Sequence, residues 1–226
     1  MFKATSLAVI VLTVTPSVFS APISVSSYDI PNGSGAASGG SFNYWDLAYT
    51  GSGSKTTDGA ALTGGVGNLT DGVIPAQNWN LVENIAGTGP YVGWLTTNVP
   101  NVLLTFRFAS VVTVNSITIY VDDSDFGGVA PPLGFDIGVL GGPSTNFSVS
   151  NPAGSAPTSY TFSGLNLVGN AIQIHPQYRA GWIFISEVAF DGPATGGGSI
   201  PEPTSGLLIA AGMLVAFHRS KQRKAS

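Results

Sequence analysis

Cysteine is absent from this chain of 226 residues, and basic residues are scarce. Without cysteine the chain has no disulfide bond, no thiol nucleophile and no thiolate metal site. Lysine and arginine together number 8 against 12 aspartate and glutamate residues, which gives a formal net charge of −4. Stability must therefore come from the packed core, with or without a bound ion.

The few basic residues lie mainly at the two ends of the chain. Between residues 21 and 200 only Lys55, Arg107 and Arg179 remain, against eleven acids, so this segment has a net charge of −8. A surface of that sign repels phosphate backbones. The composition argues against nucleic acid as a partner.

Motifs of common enzyme classes are missing as well. His175 is the single histidine between residues 21 and 200, and neither a Gly-x-Ser-x-Gly elbow nor a phosphate-binding loop occurs among the 30 glycines. A two-carboxylate glycosidase stays open, because the separation of acids in space cannot be read from a sequence. We expect a protein that is not an enzyme.

The N-terminus has the three parts of a secretory signal peptide. Met1-Phe2-Lys3 supplies positive charge, an apolar stretch runs from Leu7 to Val14, and Val18-Phe19-Ser20 forms a small-residue cleavage pattern. This order predicts a signal peptide over residues 1–20, with cleavage after Ser20 and a mature chain that begins at Ala21.

The C-terminus has a second three-part pattern. Pro201-Glu202-Pro203 precedes an apolar segment at about residues 205–217, and the chain then ends in a basic tail that contains Arg219, Lys221, Arg223 and Lys224. A segment of 13 residues is shorter than the roughly 20 that span a bilayer core. The pattern favours a transient, processed insertion over an ordinary C-terminal anchor, which remains the alternative.

This terminus resembles the PEP-CTERM sorting signal of exported proteins in Gram-negative bacteria, which an exosortase processes. The resemblance implies export across the inner membrane, transient anchoring through a short apolar helix, and release to the cell surface or extracellular matrix. Signal peptidase and an exosortase-type enzyme are then the processing partners.

The segment between the termini has the pattern of an all-β domain. Glycine and proline number 30 and 15, short alternating stretches recur, and long helical periodicity is absent. Leu104, Phe106 and Phe108 alternate with Thr105 and Arg107, as expected for a half-buried strand. We predict a single jelly-roll β-sandwich over residues 21–193, followed by a glycine-rich linker over 194–200. The predicted strands are 102–108, 117–122, 135–140, 146–149, 160–162, 171–175 and 182–190.

Two kinds of segment are expected to be loops. Residues 33–40 and 50–67 are rich in glycine, serine and threonine. The acidic run Asp122-Asp123-Ser124-Asp125 imitates the start of an EF-hand loop, but Gly134 stands where that motif requires glutamate. We therefore expect this run to be a solvated loop.

A second resemblance covers roughly residues 66–192. Leu69-Thr70-Asp71-Gly72, then Trp79, the strands named above, and finally Trp182-Ile183-Phe184-Ile185-Ser186-Glu187-Val188 are similar to discoidin domains, also called coagulation-factor type C domains. The resemblance implies a galactose-binding-like jelly roll in which the Asp-Gly turn meets the last strand.

Many members of that family hold a structural calcium ion at this turn. Carried over, the resemblance implies carboxylate ligands from Asp71 and Glu187 and a backbone carbonyl from Asn68 or Leu69. The alternative is that Asp71 only caps a turn and Glu187 only bonds nearby backbone groups.

Carbohydrate sites pair a flat apolar face with a few polar groups. Trp79, Trp94 and Trp182 are expected in the core, whereas Tyr44 and Trp45 fall in a loop-rich stretch and are candidate ligand contacts. His175, Tyr178 and Arg179 are further candidates, because their segment is predicted to be a loop between two strands. The alternative is an ordinary solvated hairpin loop.

Two functions of different classes follow from these features. The first is an exported, non-catalytic module that binds extracellular polysaccharide and is sorted by an exosortase. The second is a structural spacer or matrix protein without a specific ligand, and a polysaccharide-active enzyme is a remote third.

Overall fold

Strands account for most of the regular structure in residues 20–36 and 39–193, the part of the chain that this computed structural model describes. The order is β1 (Ser20–Pro22), β2 (Ser27–Pro31), β3 (Ala61–Gly65), a 3₁₀ turn (Asn68–Thr70), α1 (Trp79–Val82), β4 (Val92–Leu95), β5 (Leu104–Val121), β6 (Gly134–Val139), β7 (Ser144–Ser148), β8 (Thr158–Gln177) and β9 (Trp182–Pro193). The predicted all-β class is confirmed. Within these residues no helix has the length and apolar character that a membrane span requires.

Two long strands, β5 and β8, organise the sheet. They pair antiparallel along almost their whole length, with register shifts between Arg107 and Val112 and between Val114 and Ser116. The sequence predicted two separate strands in place of each, because the stretch between them lacks a core-facing alternation. The shifts explain this difference, since a bulge bends a strand without ending it.

The bends divide the sheet into two layers that share β5 and β8. In the first layer the order is β3-β2-β5-β8-β6-β7, built on the first part of β5 and the last part of β8. In the second layer β9 pairs with the last part of β5 and also with β1 and β4. All of these pairings are antiparallel.

The main core fills the space between the layers. Phe106 of the first layer lies 5.1 Å from Phe190 of the second, measured between ring centroids. Phe135 and Phe162 make a similar contact at 5.5 Å. Trp94 is fully buried and donates its indole N–H to the carbonyl of Pro31 at 2.8 Å. The expected burial of Trp79, Trp94 and Trp182 is confirmed.

The segment 50–67, expected to be a loop, contains β3. This strand pairs with β2, and Thr63 also bridges to Ser52. Glycine at 64 and 65 conceals the strand pattern in the sequence. Gly64 has a φ of +73°, a conformation that other residues rarely adopt, and it lies where the pairing with β2 becomes irregular.

The acidic run was expected to be solvated, and this expectation is wrong for its first three residues. Asp122 and Asp123 are each 1% exposed, and Ser124 is also buried. The Asp122 carboxylate accepts the backbone N–H of Trp79 at 2.7 Å and that of Ser124 at 2.9 Å. The hydroxyl of Ser124 accepts the indole N–H of Trp79 at 2.9 Å. The run therefore anchors the start of α1, a role that its composition does not reveal.

A second buried acid holds the loop between α1 and β4. Oε1 of Glu83 accepts the backbone N–H of Tyr91 at 2.8 Å, whereas Oε2 is buried without a hydrogen-bond partner. A Cβ at Gly89 would lie 2.3 Å from this carboxyl group, so the loop closes around it only with glycine there. Burial raises the pKa of Glu83 to about 8; the Tyr91 bond opposes the rise and the charge of Asp122 adds to it.

This raised pKa predicts that stability falls as the pH rises. The folded state keeps a proton on Glu83 that the unfolded chain loses above its ordinary pKa of 4.5, so the stabilisation is complete below that value and is lost as the pH rises to about 8. We expect Glu83→Gln to remove a loss of about 5 kcal/mol over this range, measured by urea unfolding at several pH values. Asp191→Asn, which removes a carboxylate elsewhere, should retain the loss. Parallel curves for wild type and Glu83→Gln would contradict the assignment.

Candidate functional site

Several polar side chains converge on the outer face of the first layer, where β6 lies between β7 and β8. Asp136 of β6 stands opposite His175 of β8 on one side and Asn146 of β7 on the other. Their neighbours Phe135 and Ile174 point into the core. Alternation along each strand therefore places these three polar residues together on the outer face.

Asp136 is the centre of this group. Its Oδ1 accepts the Asn146 side-chain amide at 2.8 Å, and its Oδ2 accepts the Gln177 amide at 3.0 Å and lies 3.3 Å from Nδ1 of His175. The bond from Asn146 is the largest cause that holds the pKa of Asp136 below its ordinary value, and the bonds from Gln177 and His175 add to it. The carboxylate therefore stays ionised and fixes the orientation of its three partners.

A cavity of about 260 Å³ lies beside this group, and we refer to it as the polar groove. It is lined by Asn101, Leu103, Asp136, Gly138, Val139, Gly142, Ser144, Gln173 and His175. Amide, hydroxyl, imidazole and carboxylate groups face it together with two aliphatic side chains. Such a mixture can hydrogen-bond several hydroxyl groups while Leu103 and Val139 contact an apolar face.

The lining favours binding over hydrolysis. A glycosidase of the common type needs two carboxyl groups on either side of the scissile bond, about 5–10 Å apart. Among the groove-lining residues of the described chain, Asp136 supplies the only carboxylate. It is already committed to three side-chain contacts.

His175 is the last residue of the predicted strand 171–175, and the loop predicted to follow it begins later in the structure. His175 belongs to β8, which continues to Gln177, because this part of β8 pairs with β6. Only Tyr178 and Arg179 lie beyond the strand. The structure thus brings His175 into the polar groove by way of a strand.

Tyr178 and Arg179 use their polar groups to hold the backbone. The Tyr178 hydroxyl donates to the carbonyl of Val99 at 2.6 Å, and burial raises its pKa. The Arg179 guanidinium donates to three carbonyls, those of Pro131 and Pro132 at 3.1 Å and that of Val149 at 2.7 Å. Neither residue lines the polar groove.

The expected exposure of Tyr44 is wrong, since it is only 2% exposed. Its ring packs edge-on against Phe184 at 4.7 Å and Trp182 at 5.1 Å, between centroids, in a second aromatic core. Tyr44 also forms part of the wall of a separate cleft of about 240 Å³ that shares no lining residue with the polar groove. The loop folds inward because burying this ring removes a large apolar area from water.

Trp45 is half-buried. Its indole N–H donates to Oδ1 of Asp58 at 2.6 Å, and the same oxygen accepts the backbone N–H of Gly35 at 2.7 Å. A Cβ at Gly35 would lie 2.5 Å from the indole ring, so glycine lets this ring lie flat on the backbone. Trp45 does not line the polar groove, which contains His175.

The residues predicted to hold calcium meet at the turn that follows the 3₁₀ turn. Oε2 of Glu187 accepts the backbone N–H of Gly72 at 2.9 Å, and Oδ1 of Asp71 accepts that of Val73 at 2.8 Å. Burial raises the pKa of Glu187 to about 7; the Gly72 bond opposes the rise, and the charge of Asp71 adds to it. These bonds also match the alternative in which both acids only bond nearby backbone groups.

The oxygen atoms at this turn are of the kind that calcium prefers. Ca²⁺ takes six to eight hard oxygen ligands. Besides the two carboxylates, Thr70 has a buried hydroxyl without a hydrogen-bond partner. The Asn68 amide donates to the carbonyl of Gly89 and the Leu69 N–H to the hydroxyl of Tyr28, so these two residues would contribute backbone carbonyls. Over the described ranges no group of three or more His, Cys, Asp or Glu side chains forms, so neutral oxygens would have to complete the shell.

Sequence reasoning missed Asp136, Gln173, Gln177 and Asn146. Each is a polar residue in a predicted strand or beside one, and alternation alone places it on the outer face. The missing information is the register of β6 between β7 and β8, which brings residues 10 to 41 positions apart into contact. The predicted sorting motif Pro201, Glu202 and Pro203, the basic tail and residues 1–19 of the signal peptide predicted over 1–20 lie outside the described residues.

Comparisons with solved structures give several distant similarities. The F5/8 type C domain of a Bacteroides fragilis protein is 13% identical, with a TM-score of 0.44, and the match covers 77% of this chain and 97% of that one. Truncated AlyQ with CBM32 and alginate lyase domains is 14% identical, with a TM-score of 0.44 over 78% of this chain. The match covers only about a third of the length of that chain, 34%.

A third structure is the family 32 CBM from C. perfringens NanJ in complex with galactose. It is 17% identical, with a TM-score of 0.29, and the match covers 40% of this chain and 66% of that one. No curated protein matches the chain.

A family profile described as the discoidin domain-containing receptor 1/2 DS-like domain matches residues 24–129. This range includes the Asp71-Gly72 turn, Trp79 and most of β5, which are among the features on which the sequence resemblance rests. The resemblance to discoidin domains, drawn over roughly residues 66–192, is therefore confirmed where the two ranges overlap, at residues 66–129.

Proposed function

We propose that this protein is an exported, non-catalytic module that binds extracellular polysaccharide through the polar groove. The observation that carries the proposal is the fixed array around Asp136. One ionised carboxylate orients three side chains, and one of these, His175, lines a cavity that also offers Leu103 and Val139. Recognition of a sugar needs polar groups that are already in place, because ordering them on binding costs free energy.

The charge of the domain restricts the kind of saccharide. Three basic residues remain between residues 21 and 200, and two of them are used internally: Arg107 pairs with Asp29 at 2.7 Å, and Arg179 holds three carbonyls. A strongly anionic polysaccharide would meet a repulsive surface. The groove therefore suits a neutral glycan.

The proposal predicts that His175→Ala weakens glycan binding by about tenfold or more, because one oriented polar group is lost from the groove; this corresponds to about 1.4 kcal/mol. Retention in polysaccharide affinity gels and titration calorimetry would measure it. Asn170→Ala, an exposed change on the same strand outside the groove lining, is the matched control and should bind normally.

Two outcomes would overturn the proposal. If no neutral polysaccharide retains the unmodified chain, the structural-spacer alternative gains support. If reducing ends are released from a bound polysaccharide, the protein is an enzyme and the non-catalytic assignment fails.

We also propose that the Asp71–Glu187 turn binds a structural calcium ion. Asp71, Glu187 and a backbone carbonyl of Asn68 or Leu69 would hold it, and the Thr70 hydroxyl is an additional oxygen within the turn. The ion would offset the repulsion between the buried carboxylate of Glu187 and the exposed carboxylate of Asp71. Its effect would be on stability, at a site that shares no residue with the polar groove.

Calcium is expected to raise the unfolding temperature by roughly 5–10 °C at a concentration one hundred times its dissociation constant. Thermal unfolding with calcium and with chelator measures this shift. Glu187→Gln should abolish it, whereas Asp125→Asn should leave it unchanged, since Asp125 is an exposed acid in a left-handed conformation that asparagine also adopts. If calcium and chelator give the same unfolding midpoint for the unmodified chain, the turn does not bind a structural calcium ion.

The third part of the proposal concerns export. A signal peptidase would cleave after Ser20, and an exosortase-type enzyme would process the segment that begins at Pro201-Glu202-Pro203. The apolar stretch at 205–217, followed by basic residues, supports a short-lived insertion in the inner membrane, since positive charge next to an apolar segment tends to remain in the cytoplasm. The domain would then reach the cell surface or matrix.

The mass of the protein recovered from cells that contain an exosortase tests both ends at once. We expect a mature N-terminus at Ala21 and a chain that lacks Arg219, Lys221, Arg223 and Lys224. Changing Pro201-Glu202-Pro203 to alanines should leave the basic tail attached. A native mass that retains the tail would favour an ordinary anchor.

A further inference from the structure

A second pocket lies on the same outer face, on the other side of β5 from the polar groove. It has a volume of about 230 Å³ and is lined by Asp29, Ile30, Pro31, Gly59, Ala61, Leu62, Thr63, Leu103 and Thr105. Leu103, which is 40% exposed, lines both cavities. The two depressions therefore adjoin at Leu103, beside the start of β5.

The strand register shows that the two depressions belong to one row. Asp29 of β2 stands opposite Thr105 of β5, Thr105 opposite Gln173 of β8, and Gln173 opposite Gly138 of β6. Gly138 in turn stands opposite Ser144 of β7. Residues opposite one another lie on the same face of a sheet, so this row crosses five strands at right angles to them. Gly138 has no side chain to interrupt the row.

Charges on this face are neutralised within the domain. Nε and Nη2 of Arg107 both donate to Oδ2 of Asp29, at 2.9 and 2.7 Å. Asp136 is held by two amides and His175. What remains for a ligand is a set of hydroxyl and amide groups that includes Thr63, Ser144 and Gln173, with Leu103 in the middle. Thr105 is only 7% exposed, and its hydroxyl accepts the Gln173 amide at 3.4 Å. This composition matches an uncharged polyhydroxylated chain.

The face is unsuited to an extended peptide. A peptide that extends a sheet pairs with free backbone groups at an edge strand. Here the row crosses the interior of the sheet, where β2, β5, β8 and β6 are already paired on both sides. A bound chain would have to be recognised through side chains alone.

We infer that the polar groove and the pocket beside β3 form one continuous cleft, which binds an internal stretch of a linear, neutral polysaccharide laid across the strands. This inference rests on the proposed function and names its ligand class. The cleft runs from Ser144 on β7 to Thr63 on β3. This distance is five strand spacings or roughly 24 Å, because neighbouring strands lie about 4.8 Å apart. Several sugar units fit along it, and neither end requires a chain terminus.

The test compares short and long oligosaccharides of β-1,4-glucan, β-1,4-mannan and β-1,4-galactan by titration calorimetry. The full chain should bind the hexasaccharide of its preferred series at least about tenfold more tightly than the disaccharide, a difference of about 1.4 kcal/mol. Thr63→Trp, which fills the pocket beside β3 from an exposed position, should reduce this ratio to near one. Val168→Trp adds a similar bulk at an exposed position outside both cavities and should leave the ratio unchanged.

The outcomes separate this inference from the function on which it rests. If His175→Ala weakens binding but Thr63→Trp leaves the hexasaccharide-to-disaccharide ratio unchanged, the cleft does not extend past β5 and the inference is wrong while the proposed function stands. Equal affinity for both lengths in the unmodified chain also overturns it. If no oligosaccharide of any series binds, the inference is wrong, and retention on neutral polysaccharide gels then decides whether the proposed function stands.

Discussion

The antiparallel pairing of β5 with β8 is the constraint on which the rest of the structure depends. Each strand belongs to both layers, so the bends in this pair set how the layers face one another and where Phe106 meets Phe190. The same pairing places Thr105 opposite Gln173, and the pairing of β8 with β6 then places His175 opposite Asp136. A slip of one residue would turn the polar row toward the core and the core residues toward water. The core and the candidate site therefore share one register.

A second feature is the way that an acidic domain with few bases accommodates its buried carboxyl groups. Backbone N–H groups stabilise them: Asn68 donates to Asp46, Trp79 to Asp122, Tyr91 to Glu83 and Gly72 to Glu187. Each acid thereby holds a loop or a short helix against the sheet. Burial raises the pKa of all four, so their contribution to stability depends on pH in the same direction. Fixing loops in this way serves in place of disulfide bonds.

Local patterns in the sequence were enough to predict that the domain is built of strands. They also predicted which side chains of a strand face the core. The alternation of Phe106 with Thr105 and Arg107 is one case, and the burial of Trp94 is another. The burial of Asp122 could not be predicted in this way, because its partner Trp79 is 43 residues distant and a run of acids ordinarily indicates solvent. Tyr44 was misplaced for a similar reason, since its loop folds onto rings from β9. Only part of the candidate site could be predicted from the sequence. His175 was a candidate because it is the single histidine of the domain, whereas Asp136 can be recognised as a site residue only once the register of β6 and β8 is known.

We propose above all that the outer face around Asp136 and His175 binds a neutral glycan. Nuclear magnetic resonance titration of the isotope-labelled protein with a neutral oligosaccharide addresses it most directly, because each backbone amide reports separately. We expect shift changes concentrated in β6, in the last part of β8 and around Leu103, with little change at Tyr44 and Trp182. Changes centred on the cleft beside Tyr44, with none in β6, would contradict it.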